Sequence, residues 1–118
     1  MRLTKLARRS KYGAKPCVVR GIRFASQKEA ARYLELRLLE KAGDIGALEL
    51  QPRFDLLALT AAGTGEVIGH YTPDFAYFDK RSNRTVYEDV KSAATRTEAY
   101  RLRKKILAAN YGITVEEV

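Results

Sequence analysis

Apolar and polar positions along the chain alternate in a way that predicts short strands around two helices. Cys17-Val18-Val19 and Ile22-Arg23-Phe24 flank Arg20-Gly21, the spacing of a small hairpin. Ser26-Gln27-Lys28-Glu29 reads as a capping box that opens a helix, with Glu29 returning a bond to the Ser26 N–H. That helix continues through Tyr33, Leu34, Leu36, Leu38 and Leu39, and Gly43 is its stop. Ala47 to Leu59 is apolar but interrupted by Pro52, so it reads as one bent strand or two. Ala62-Gly63-Thr64-Gly65 is a turn; its Gly-x-Gly lacks the helix that a phosphate loop would need. Glu66 to Phe78 reads as a second strand and Arg84 to Lys91 as a third, with a polar turn at 79–83 between them. A second helix runs from about Thr95 to Asn110, with Ala99, Leu102, Ile106 and Ala109 at helical spacing as its apolar positions. Tyr111-Gly112 ends it, and Ile113-Thr114-Val115 begins a last strand.

The order is therefore α-β-β-β-α-β, an α/β arrangement. The helix between the third and fourth strands favours a right-handed crossover into parallel pairing, hence a central mixed sheet flanked by helices. At 118 residues the chain is expected to hold one domain, 17–118, behind an arm at 1–16. No apolar run approaches a membrane span, so no membrane partner is expected. The N-terminus has no apolar signal-peptide core, which leaves a cytoplasmic location as the expectation. One cysteine, Cys17, rules out a disulfide framework and a cysteine-cluster zinc site; it reads as a small buried hydrophobe. His70 is the one histidine and reads as a bystander.

Charge changes the picture. The formal net charge is +8, and residues 1–28 hold nine Lys or Arg with no Asp or Glu. The remainder carries 13 basic and 14 acidic side chains, so the excess is a basic arm on a nearly neutral domain. Arg8, Arg9, Lys11 and Lys15 are candidate phosphate contacts, because such an arm attracts nucleic-acid backbones by counterion release. The alternative is a solvated tail. Arg101, Arg103, Lys104 and Lys105 make the second helix basic too; Arg101, Lys104 and Lys105 are its candidate nucleic-acid contacts, and the alternative is a solvated face.

Candidate chemistry lies on the second and third strands. Pro73-Asp74 is on one, and the next ends in Asp89-Val90-Lys91. Alternation places the Asp89 and Lys91 side chains on one face, with the Val90 carbonyl near the same edge. If a hairpin joins the two strands, Asp74 lies close to Asp89. Two carboxylates and a carbonyl suit a hard divalent cation, magnesium or manganese, and a lysine beside it can orient water or stabilise charge on a phosphate. The bland alternatives are a turn residue at Asp74 and an exposed ion pair of Asp89 with Lys91. Glu88 faces the other side unless the register slips by one. Gln51 is a further polar candidate. Glu29 shares a helical stripe with Tyr33 and Leu36, and is either a capping partner or an additional ligand.

Pro73-Asp74 followed after fourteen residues by Asp89-Val90-Lys91 resembles the signature of the PD-(D/E)XK nuclease superfamily. The residues Tyr12, Gly21, Phe24, Ser26, Glu29, Tyr33 and Leu34, with Glu88 to Lys91, are similar to small phage-encoded members of the group, akin to Holliday-junction resolvases. The resemblance implies a restriction-endonuclease-like core over about Ser26 to Val118. It also implies a magnesium-dependent endodeoxyribonuclease in which Asp74, Asp89, the Val90 carbonyl and Glu29 hold the metal and Lys91 assists. It further implies branched or recombination DNA as substrate, a homodimer making paired cuts and, for a phage product, the host cytoplasm. Two other readings stay open: a nucleic-acid-binding module that no longer cuts, and a subunit of a recombination or transposition complex.

Overall fold

The computed structural model describes residues 15–91 and 96–118, and the chain divides into two units, Met1–Asp44 and Ile45–Val118. Arg8, Arg9 and Lys11 lie outside the described residues; Lys15 lies within them and is exposed. In the first unit β1 (Cys17–Val19) and β2 (Ile22–Phe24) pair antiparallel, with Val19 opposite Ile22. Arg20 and Gly21 both take positive φ, 52° and 78°, as a type I′ hairpin loop requires. Helix α1 (Gln27–Ala42) follows. The Ser26 hydroxyl accepts the Glu29 N–H at 3.1 Å, and Gly43 closes the helix in the left-handed region with its N–H donated to the Glu40 carbonyl. Both signals were legible in the sequence. One detail differs: the Glu29 carboxylate accepts the N–H of Ala25, at 3.4 Å, rather than that of Ser26. The buried stripe of α1 is Glu29, Ala30, Tyr33 and Leu36, and the Phe24 and Tyr33 rings pack 5.1 Å apart.

The second unit contains β3 (Ile45–Leu50), β4 (Phe54–Leu59), β5 (Gly65–Tyr71), β6 (Phe75–Asp79), β7 (Arg84–Asp89), helix α2 (Glu98–Tyr111) and β8 (Val115–Glu117). A four-stranded sheet runs β3-β6-β7-β8. Its first three strands are antiparallel, and β8 joins β7 in parallel across α2. It is thus a mixed sheet in an α/β fold. The expected helix, three strands, helix, strand order holds for the strands of this sheet, with the β4–β5 hairpin inserted as a separate two-stranded sheet.

The interrupted stretch at Pro52 is two strands. Glu66 to Phe78, read as one strand, is also two, broken at Thr72-Pro73-Asp74. Pro73 has no N–H to give a ladder; it is fully buried, and the break passes the chain from the β4 pairing to the β3 and β7 pairings.

The core of this unit gathers Leu56, Tyr71, Tyr100, Leu107 and Val115, with Phe54, Tyr87, Ile106 and Ile113 against them. Helix α2 therefore buries Tyr100 and Leu107, while Ala99, Leu102 and Ala109 of the expected apolar stripe are exposed. Aromatic and leucine side chains remove more apolar area from water than alanines do, which sets the helix rotation. Thr97 caps α2, its hydroxyl accepting the Tyr100 N–H at 3.1 Å. Asn110 then ties the hairpin to the helix: its side chain accepts the Leu57 N–H at 2.7 Å and donates to the Leu57 carbonyl at 3.3 Å. Among the described residues no helix is long and apolar enough to cross a membrane.

Candidate functional site

Asp74 begins the chain's entry into β6, and Asp89 ends β7. The hairpin register sets Phe75 opposite Glu88, so the two aspartates are one step further along neighbouring strands. Each aspartate bonds the main chain beside the other. The Asp74 N–H donates to Asp89 Oδ1 at 3.0 Å, and the Val90 N–H donates to Asp74 Oδ2 at 2.8 Å. The Gln51 N–H donates to the Asp74 carbonyl at 3.1 Å, and Gln51 takes a left-handed φ of 51° to do so. Gln51 thus acts here through its main chain.

A cleft of about 220 Å³ opens beside this pair, lined by His70, Tyr71, Thr72, Asp74, Asp89, Lys91, Tyr100 and Arg103. Asp89 and Lys91 share it, as strand alternation predicts. Asp89 is 2% exposed, so its carboxylate needs partners. Besides the Asp74 N–H it accepts the Tyr71 hydroxyl. Burial, and then the bond to Asp89, push the Tyr71 phenol well above its ordinary value, so it stays a donor. The Lys91 ammonium sits 4.3 Å from the Tyr100 ring centroid. Tyr100 in turn donates to Glu117 at 2.8 Å, and burial followed by that bond raises its own phenol.

Glu88 points to the opposite face and is buried, where it accepts the Tyr77 hydroxyl. The register is therefore unslipped, and Asp89 is the acid beside Asp74. Glu29 belongs to the first unit and is buried on α1. On α2 the candidates Arg101, Lys104 and Lys105 line a neighbouring groove, whereas Arg103 lines the aspartate cleft. His70, read as a bystander, lines the cleft as well. Tyr71, Thr72, Tyr100 and Arg103 were not singled out as site residues from the sequence. The one-turn spacing of Tyr100 and Arg103 was the available signal, since it puts an aromatic and a cation on one helix face.

The donors suit a hard cation. They are carboxylate oxygens, and a bond accepted at one lone pair leaves the other available. Among the described residues no three of His, Cys, Asp and Glu gather closely enough to hold a metal ion by themselves. An ion on Asp74 and Asp89 would complete its shell with carbonyl oxygen, water and substrate, as magnesium commonly does.

The family model described as "Protein of unknown function (DUF1064)" matches residues 9–116. Neither the curated proteins nor the solved structures contain a match to the chain.

Proposed function

This chain belongs to the DUF1064 family, and we propose that it is a metal-dependent DNA endonuclease that hydrolyses phosphodiester bonds. The observation that carries the reading is the reciprocal bonding of Asp74 and Asp89 in a cleft that Lys91 and Arg103 also line. Carboxylates beside cations in one small cleft answer both needs of phosphodiester hydrolysis: a cation site, and positive charge for the phosphoryl oxygens. The resemblance to the PD-(D/E)XK superfamily points the same way.

Asp74, Asp89 and the Val90 carbonyl would hold magnesium or manganese. When bound, the ion supplies Lewis-acid polarisation and lowers the pKa of its water. The chain's own residues do the rest. Tyr71, held protonated, fixes the Asp89 carboxylate by its hydrogen bond. The Val90 N–H fixes that of Asp74. Lys91, braced over Tyr100, holds its ammonium in the cleft to orient an attacking water or to stabilise charge developing on the equatorial oxygens. Arg103 presents a planar fork to the phosphate. The basic arm and α2 draw the backbone in.

The test is cleavage of linear duplex, single-stranded and four-way-junction DNA by the purified protein with magnesium or manganese. Cutting that chelation abolishes is expected. Intact DNA on every substrate would refute the reading and leave a nucleic-acid-binding module in its place.

A further inference from the structure

Helix α2 carries a second face that the cleft does not use. Arg101, Lys104, Lys105 and Ala108 sit at helical spacings of three, four and seven, so they lie along one side. That side and β8 enclose a groove of about 350 Å³, with Ile113, Val115, Ala108 and the flank of Tyr100 as its floor and Arg96, Arg101, Lys104 and Lys105 around its rim. Among the described residues that line it, Glu117 is the carboxylate. It is bonded to Arg96 at 2.9 Å and Lys104 at 3.4 Å, so the rim keeps a net charge of +3. Tyr100 lines both this groove and the aspartate cleft, making the two neighbours across one ring.

We propose that this groove binds one unpaired nucleotide of the strand whose phosphate lies in the aspartate cleft. The inference rests on the proposed nuclease function for the phosphate's position, and on the groove itself for the nucleotide. The apolar floor fits the face of a base, and the cationic rim fits its phosphate. The volume is at the small end of ligand sites, about 300–1,000 Å³, and takes a single nucleotide. A paired base, stacked on both sides, presents phosphates but no face. Sequence-tolerant recognition of single strands joins positive charge to stacking of bases on aromatic rings, and Tyr100 supplies a ring at this groove. The substrate class is therefore DNA with unpaired nucleotides beside the cut, and uninterrupted duplex is the poorer ligand.

The test is anisotropy of a short labelled oligothymidylate, with a duplex of equal length alongside, using the full chain in EDTA. Ala108 is an exposed helix position, so Ala108→Phe fills the groove without touching the cleft. Thr114→Trp blocks it from the strand side and serves if the first variant fails to fold. Single-strand affinity is expected to fall about tenfold, with duplex affinity held within about twofold. Unchanged single-strand affinity in a folded blocking variant overturns the proposal, as does an equal loss on duplex. Displacement of the oligothymidylate by a short oligoglutamate at equal concentration also overturns it, by showing a site for anions in general. No metal is present and nothing is cut, so failure here leaves the cleavage reading standing. Conversely, a chain that loses single-strand binding on Ala108→Phe yet cuts nothing with magnesium refutes that reading alone.

Discussion

The Lys91 ammonium lies 4.3 Å from the centroid of the Tyr100 ring, so a lysine that lines the aspartate cleft is held by a residue from a different element. The ring's negative face attracts the cation, and the Tyr100 hydroxyl is itself anchored on Glu117. Tyr100→Phe keeps the ring and is expected to retain most of the cleavage rate. Tyr100→Leu removes the face and is expected to lower the rate by about two- to thirtyfold, the equivalent of about 0.5–2 kcal/mol. Single-turnover cleavage with magnesium checks this, and equal rates for the two variants would contradict it.

The pairing of Lys91 with Tyr100 shows where sequence reading stops. Local signals were legible: Ser26 and Gly43 bound α1, and Arg20-Gly21 turns the first hairpin, because caps and two-residue turns depend on a few adjacent residues. Alternation placed Asp89 and Lys91 in one cleft and Glu88 opposite. Long-range choices were not legible. Nothing local says that β4 and β5 leave the main sheet, since pairing is decided by which apolar faces find one another. Pro73 was the available cue that Glu66 to Phe78 must break, and the apolar run around it hid the cue. The buried stripe of α2 differs from the expected one because Tyr100 and Leu107, separated by Arg103, outweigh the weaker Ala99-Leu102-Ile106-Ala109 row.

The two roles of Glu29 separate by substitution. Its carboxylate accepts the Ala25 N–H, a bond that glutamine also makes, whereas a neutral amide is a poor ligand for a hard cation. Glu29→Gln is expected to melt near wild type and to keep its cleavage. Ser26→Ala removes the cap acceptor seen at 3.1 Å, and is expected to cost about 1 kcal/mol while still cutting. Thermal melts and cleavage at saturating magnesium decide the matter: normal cutting by Glu29→Gln makes it a capping residue only.

Acid should act through Glu117. The Tyr100 hydroxyl, then Arg96 and Lys104, hold its carboxyl down at about 2, against an ordinary 4.5. Between these values the unfolded chain binds a proton that the folded chain does not. The group's stabilisation is therefore whole above pH 4.5 and lost as pH falls towards 2. Glu117→Gln is expected to melt below wild type at neutral pH, with the difference shrinking through that window. A difference independent of pH would contradict this.

The arm makes an electrostatic prediction. Residues 1–15 carry six basic side chains. Deleting them should weaken DNA binding and flatten its log–log salt dependence, by up to about 0.9 for each duplex phosphate that the arm neutralises. The thermal midpoint should stay nearly unchanged. An unaltered slope would show that the arm does not touch DNA.

Whether Asp74 and Asp89 form a metal-dependent cutting site is decided by comparing wild type with Asp74→Ala in magnesium, scoring cleavage and DNA binding on the same substrate. Wild type is expected to cut until EDTA stops it, and Asp74→Ala is expected not to cut while still binding DNA, because the arm and α2 supply the affinity. Cutting by Asp74→Ala at the wild-type rate would contradict this.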